Sequence, residues 1–311
     1  MSQAYVDTAT LKRLSVLQPW RTAAAIVFDW AVIAVCIIAA QAAQNIPIYV
    51  AAVVLIGGRM HGLGVLLHDF AHYRFIDRRK SLSDWVCELL IAWPLFTTVD
   101  GYRRNHLAHH RYTNTDKDPD WVFKLGNRKF IFPQAWQEAV LTLLSYLVVL
   151  GSLFDIIGVS RRLASPEGPP LVVRLARIGY YLAWIALFTF TGTWTLFWLY
   201  WAIPYLTVFF LFLHIRSVAE HFGSMDYSEE LGSTRTVVPF FWERAFFAPH
   251  RVNFHLEHHL YPSVPFYNLP ALHHAAMQNP LFAEKAHITK GYTWGLVSET
   301  LGPDRPVLNE V

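Results

Sequence analysis

The chain has 311 residues, 54% of them hydrophobic and only 16% charged, against about 25% charged in an ordinary soluble domain. That apolar mass excludes a disordered chain, and apolar stretches approaching twenty residues argue against a soluble enzyme. The net charge of +3 is too small for nucleic-acid binding, so no nucleic-acid partner is expected, and two cysteines, Cys36 and Cys87, support neither a disulfide framework nor a cysteine metal site.

Along the chain, apolar segments fall at 22–43, 46–66, 85–98, 138–158, 175–191 and 193–213. Lys12, Arg13 and Arg21 precede the first, which is too long for a signal core and has no small-residue cleavage pattern. It reads as a retained anchor. A span needs about 20 mostly apolar residues, so 85–98 is expected to lie at the interface. Gln44-Asn45-Ile46-Pro47 joins the first two segments and Thr191-Gly192-Thr193 joins the last two, both turns without charge. The basic residues lie elsewhere: before the first pair, from Arg74 to Lys80 after it, and at Arg161, Arg162, Arg174 and Arg177 before the second. Short loops rich in Lys and Arg stay cytoplasmic. Both hairpin turns are therefore expected outside and both termini inside.

If 138–158 also spanned, the arginines after it would sit outside; with Asp155 near its end it reads as interfacial or re-entrant. The expected architecture is an all-α integral membrane protein, one domain over 1–311. Four transmembrane helices in two hairpins carry a cytoplasmic, histidine-rich helical cap formed by 67–174 and 214–311. Residues 165–170 read as a loop and the chain after about 290 as a loosely held end. In the first hairpin, Asp29 lies sixteen residues before the turn centre near 45 and Arg59 fourteen after it. Equal rise per residue puts them at nearly one depth, and charges inside a membrane are usually paired, so an Asp29–Arg59 pair is predicted.

The fifteen histidines cluster. HDFAH holds His68 and His72, HLAHH holds His106, His109 and His110, AEH holds His221, and HLEHH holds His255, His258 and His259. Residues three or four apart share a helix face, so each cluster is expected to aim its rings at one point. Imidazole suits Zn, Cu, Fe and Ni. Nine ligands exceed the roughly four that a zinc ion takes, and two metals fit the count better. The first cluster begins just past the second apolar segment, and His221 falls eight residues past Leu213. All four clusters can therefore meet at one membrane face. Scattered surface histidines are the bland alternative, and two HxxHH repeats beside an HxxxH speak against it.

HDFAH at 68–72, HLAHH at 106–110 and HLEHH at 255–259 resemble the three histidine boxes of the membrane fatty acid desaturase superfamily. The flanks RNHLAHHRYTNTDKDPDW at 104–121 and NFHLEHHLYPSVPFYNLP at 253–270 are similar as well, and the resemblance covers about 55–275. It implies a four-span fold with a cytoplasmic di-iron cap, and a reaction that uses dioxygen and two external electrons to break an unactivated C–H bond. Carried over to this sequence, it implies two iron ions held by His68, His72, His106, His109, His110, His255, His258 and His259. A ninth ligand of the family follows the last span, and His221 matches it. Ser217 stands where some members place a water-bridging Asn, which puts that water-mediated contact in doubt.

Ligating histidines commonly donate their other N–H to a carboxylate. Asp116, Asp118 and Asp120, just past the second box, and Glu220 and Glu257, inside the third and fourth, are the candidates for that role; a solvated loop is the plainer reading for the aspartates. His61 and His214 each sit seven residues before a ligand and either support the site, line a substrate path or simply pack. His250 is at most a supporting residue. His273 and His274 need no role, and His287 has none assigned.

There is no GxGxxG fingerprint, no cysteine set for an iron–sulfur cluster and no fused haem segment. Electrons are expected from an external carrier of ferredoxin, rubredoxin or haem-protein type, docking on Arg78, Arg79, Lys80, Arg103, Arg104 and Arg111. The expected activity is a dioxygen-dependent fatty acyl desaturase in a bacterial inner membrane or an ER-type membrane, with an active site on the cytoplasmic face and a lipid or acyl substrate reached by an apolar tunnel between the hairpins. A hydroxylase or ketolase acting on fatty acyl, alkane, sterol or carotenoid substrates is the alternative; the HxxHH spacing of the second box favours the desaturase. Of other classes, a membrane zinc hydrolase lacks HExxH, and a metal transporter would place its ligands at mid-membrane.

Overall fold

The computed structural model describes residues 4–76, 79–163 and 168–302. Arg78 and residues 165–167 of the loop expected at 165–170 fall outside them.

The chain opens on a short helix, α1 (Thr8–Leu14), capped by the Asp7 carboxylate, which accepts the Thr10 N–H at 2.9 Å. Helix α2 (Pro19–Ala43) and helix α3 (Ile46–Ala71) follow. Between them Gln44 takes the left-handed conformation, with φ 48°, and Asn45 caps α3 by accepting the Ile48 N–H. The predicted Asp29–Arg59 pair is present: Arg59 Nη1 donates to Asp29 Oδ1 at 3.1 Å, and His250 Nε2 meets Asp29 Oδ2 at 2.7 Å. Gly62 makes room for this pair, since a Cβ there would stand 2.9 Å from Asp29 Oδ2.

Helix α4 (Lys80–Cys87) runs into a π turn, Glu88–Ala92. Helix α5 (Val99–Tyr112) carries the second histidine cluster; helix α6 (Pro119–Lys124) carries Asp120 and is capped by Asp118, with Asp116 in the turn between the two helices. The stretch at 138–158 becomes two helices, α7 (Trp136–Leu147) and α8 (Leu150–Leu163), bent by 79° at Val149, whose φ is 71°. Asp155 is held there by Lys129 and by the Tyr146 hydroxyl.

Helix α9 (Leu171–Thr191) ends at Gly192 with φ 68°, where only glycine bears the left-handed conformation freely. Helix α10 (Trp194–His221) contains two π turns on either side of Pro204, the residue that lacks an N–H for the helical ladder. The chain then runs through a short strand, β1 (Thr236–Val238), helix α11 (His255–Leu260), helix α12 (Leu269–Ala276) and strand β2 (Ile288–Lys290). β1 and β2 pair in parallel, Thr236 opposite Ile288, a small departure from the all-α expectation. Residues 291–302 of the end expected to be loose are held: Tyr292, Leu296 and Thr300 are buried, and Glu299 takes up Arg235, His287 and Thr289; residues 303–311 lie outside the described residues.

Among the described residues four helices, α2, α3, α9 and α10, are each long and apolar enough to cross a membrane. Two overrun their apolar segments: α3 continues to Ala71 and α10 to His221, so the first box and His221 ride on the ends of these long helices. Hydropathy marks where side chains meet lipid, whereas the backbone ladder persists as long as the polar residues of the next turns are enclosed by protein.

Candidate metal centre

α3 brings His68 and His72 to its carboxyl end, α5 brings His106, His109 and His110, α10 ends on His221, and α11 brings His255, His258 and His259. Arg103 fastens α3 at this point: its guanidinium donates to the Phe70 and Ala71 carbonyls and to the Asp84 carboxylate. These are carbonyls of the last helical turn, which have no partner further along the helix. Arg103 is buried in this role and so is withdrawn from the docking surface expected of it.

The nine rings meet in two groups. His68, His72, His106, His110 and His258 form one, and His109, His221, His255 and His259 the other, with the ligand atoms of each group within 4.8 Å of one another. The expectation that each HxxHH aims at one point is thus corrected. Helical positions i and i+4 lie about 40° apart around the axis, and i+3 lies about 60° to the other side. The outer pair of each motif therefore shares one centre while the inner histidine serves the other. His106 and His110 join the five and His109 the four; His255 and His259 join the four and His258 the five. The two boxes are exchanged copies of one device.

His72 Nε2 lies 2.9 Å from His106 Nε2 and 3.2 Å from His110 Nε2, and His110 Nε2 lies 3.0 Å from His258 Nε2. Each such nitrogen has either one N–H or one lone pair, so at most two of these three contacts can be hydrogen bonds. In the second group, His255 Nε2 and His221 Nε2 are 2.9 Å apart. His68 Nε2 and His259 Nε2 are buried with no hydrogen-bond partner among the described residues. Two imidazole nitrogens bound about 2.1 Å from one ion stand about 3.0–3.4 Å apart, so both the spacing and the unsatisfied atoms fit a shared cation.

Six of the rings are also biased toward the neutral form that metal ligation demands. Burial, aided by Arg74, pulls His72 down to about 4, and burial with His72 nearby takes His110 to about 2. Burial likewise holds His106, His255, His258 and His259 well below the ordinary imidazole value.

Of the expected supporting carboxylates, Asp118 is the best placed. It is fully buried, and its Oδ2 meets His109 Nδ1 at 2.8 Å. The same carboxylate caps α6, accepting the backbone N–H groups of Asn114, Asp120 and Trp121. Glu220 Oε1 lies 3.4 Å from His255 Nδ1, a close contact without hydrogen-bond geometry, and receives Arg216 Nε at 2.6 Å. Asp120 binds Asn105 and Arg162 rather than a histidine. Burial raises its carboxyl, and Arg162 outweighs that and holds it below the usual range. Glu257 binds Thr236 and His273 and so ties α11 to β1 and α12.

Asp116 is exposed, and its side chain makes no hydrogen bond or ion pair among the described residues, so that candidate is not brought to the site. Asp118 and Asp120 are drawn inward by the α6 cap and by Asn105, while Asp116 stays on the outer side of the turn. His61 Nδ1 contacts the Phe246 carbonyl at 3.3 Å, His214 stacks on Tyr146, and His250 serves the Asp29–Arg59 pair. None of the three bonds a ring of the cluster.

Four participants escaped the sequence reading. Asp69 lies between the first two histidines, 3.9 Å from His68 Nδ1, and accepts the Phe266 N–H. Thr113 Oγ1 lies 3.4 Å from His259 Nδ1. His273 holds Glu257 at 2.5 Å. Arg216 was detectable, being four residues before Glu220 on one helix face.

A cavity of about 190 Å³ opens on the cluster between α5, α6, α8 and α10. His106, His109, His221 and His255 reach it, together with an apolar floor that includes Phe123, Phe210 and Leu213 and a set of charged residues. It is not the apolar tunnel expected between the hairpins.

Residues 44–291 match the sequence model of the fatty acid desaturase family. This chain belongs to the fatty acid desaturase family. A curated relative, the dihydrorhizobitoxine desaturase of Bradyrhizobium elkanii, is 32% identical over 296 residues, covering 88% of this chain and 81% of that protein. As a member of the family the chain is an integral membrane oxidoreductase of the desaturase or hydroxylase type. Metal use comes with the family, and the two largely buried histidine groups are where this chain can hold it.

Proposed function

We propose that this protein is a dioxygen-dependent desaturase that holds two iron ions, one among the five histidines and one among the four. The observation that carries the reading is the convergence of nine imidazoles, seven of them buried and His110 and His259 half-buried, in two groups with contacts at 2.9–3.2 Å, in a chain of the desaturase family. When bound, the iron pair supplies the reduction of dioxygen that makes an unactivated C–H bond breakable. Across the reaction the substrate loses two hydrogens and gains a C=C bond. Two electrons and two protons enter from outside, and dioxygen leaves as two waters.

The chain's own residues place and insulate this chemistry. Asp118 orients His109, Glu220 lies beside His255, and Glu257 with His273 fixes the helix that bears the fourth box. The substrate is of the lipid or acyl class, as the family name suggests; the relative is named for dihydrorhizobitoxine. Electrons come from a separate carrier, for which the exposed Arg79, Lys80, Arg104 and Arg111 form a basic docking face. The four long helices form two membrane hairpins, with the histidine cap and both termini on the cytoplasmic side of a bacterial inner membrane or an ER-type membrane.

Expression in a host that lacks the activity, followed by mass spectrometry of its lipids and acyl metabolites, tests the reaction. A loss of two mass units marks desaturation; a gain of sixteen marks hydroxylation and overturns it. Protein purified without oxygen should carry about two irons per chain. Zinc alone would point to hydrolysis instead, and turnover under strict anaerobiosis would end the dioxygen-dependent reading. Cysteines placed at 159–163 should be labelled only from the cytoplasmic side.

A further inference from the structure

The cavity beside the four-histidine group is lined by unsatisfied polar groups. Asn105 Oδ1, Arg162 Nε, His214 Nδ1 and Ser217 Oγ are all buried there without a hydrogen-bond partner among the described residues. Native interiors tolerate few such atoms, and their concentration around one cavity, from α5, α8 and α10, points to an occupant that satisfies them. The charges have a definite balance. Asp120, Asp155 and Glu220 line the cavity, and each already holds a cation: Arg162, Lys129 and Arg216 respectively. Lys124 is left over. Its ammonium lies 5.6 Å from the Phe130 ring and 5.7 Å from the Phe222 ring and has no carboxylate partner among the described residues. Arg216 spends only Nε on Glu220, so its two terminal nitrogens also lack a partner among the described residues. The lining holds three carboxylates and three cations, but Lys129 takes up Asp155 from outside it, so Lys124 stands unpaired beside the fork of free donors on Arg216.

We propose that this cavity is a substrate pocket that takes an anionic group on Lys124 and Arg216. The inference rests on the desaturase reading and narrows its substrate to a compound whose reacting carbons lie within a few bonds of its charged end. Size is compatible with this: a cavity of about 150 Å³ holds one benzene molecule, so about 190 Å³ has room for an anionic head with a short carbon stem. A guanidinium and an ammonium select carboxylate-like charge over a neutral isostere, because charge-assisted hydrogen bonds are about twice as strong as neutral ones.

Hexanoate and its neutral counterpart hexanamide are suitable probes. Their binding to the full chain in lipid nanodiscs is measured by calorimetry, on iron-free and iron-loaded samples alike. Saturable hexanoate binding, with hexanamide at least about tenfold weaker, is the expected result. Lys124→Gln should weaken hexanoate by about tenfold and leave hexanamide unchanged, and Arg216→Lys should retain more hexanoate affinity than Arg216→Gln. Equal affinities for acid and amide, or no hexanoate binding, overturn the proposal. Iron content is measured on the same samples. Two irons with no preference for hexanoate reject the pocket alone; hexanoate selectivity in protein that takes up no iron on anaerobic loading rejects the di-iron reading and leaves the anion site standing.

Discussion

The two histidine groups share α5 and α11 yet sit in different surroundings. The four-histidine group is braced: His109 bonds the buried Asp118, and His255 lies against Glu220. Three of its rings, His109, His221 and His255, reach the cavity. The five-histidine group sends only His106 there, and its nearest carboxylate, Asp69, stands 3.9 Å from His68. Its other contacts are largely with more histidine: His68 packs on His258 at 4.2 Å and on His106 at 4.3 Å. A carboxylate on the far nitrogen makes a ring a better donor and fixes its tautomer. The contrast teaches that two groups built from the same exchanged motif are chemically unequal, one insulated by its own kind and the other tuned by carboxylates and open to a ligand.

Removing a ring from either group is the harshest test of that contrast. His110→Ala should abolish turnover and lower metal content by about one ion per chain, and His259→Ala should do the same through the other group. Elemental analysis paired with activity reads both; loss of both ions from each variant would mean that the groups act as one site.

Next in size is Arg59→Gln, which acts outside both groups. Breaking a buried ion pair costs about 3–5 kcal/mol, so the thermal transition should fall markedly. Adding Asp29→Asn should restore much of that loss, because no buried charge then stands alone. If the double variant is as unstable as the single one, the pair contributes nothing to the fold.

Asp118→Asn sharpens the comparison directly. The change should weaken metal affinity or activity by about 10- to 100-fold, with the loss concentrated in the four-histidine group. Competition with a chelator measures this, and equal weakening of both groups would erase the distinction drawn between them. Glu220→Gln should have a smaller effect, since Glu220 contacts His255 without bonding it. Asp116→Asn should change metal affinity by less than about 0.5 kcal/mol, because its side chain is solvated.

Much of this was legible before any coordinates. The long apolar runs became α2, α3, α9 and α10, and the Asp29–Arg59 pair followed from counting residues on either side of one turn. Eight of the nine histidines were identifiable from their spacing, and His221 from its place just past the last span. What escaped has a common physical reason: partners far apart in the chain leave no local period. His273 reaches Glu257 through the packing of α12 on α11, and Arg103 looks like a free surface cation until the end of α3 is placed beneath it. The bend at Val149 turned one apolar stretch into two helices, a break that hydropathy does not register.

Helical periodicity and apolar length depend on neighbours a few positions away, so the amino-acid order alone determined the long helices, the histidine inventory and the family. Whether His109 serves with its neighbour His110 or apart from it, which aspartate meets a ring, and that the space beside the rings is charged were decided only when α5, α6, α8, α10 and α11 packed together. Burial and charge pairing are properties of the enclosed volume, and no single segment contains them.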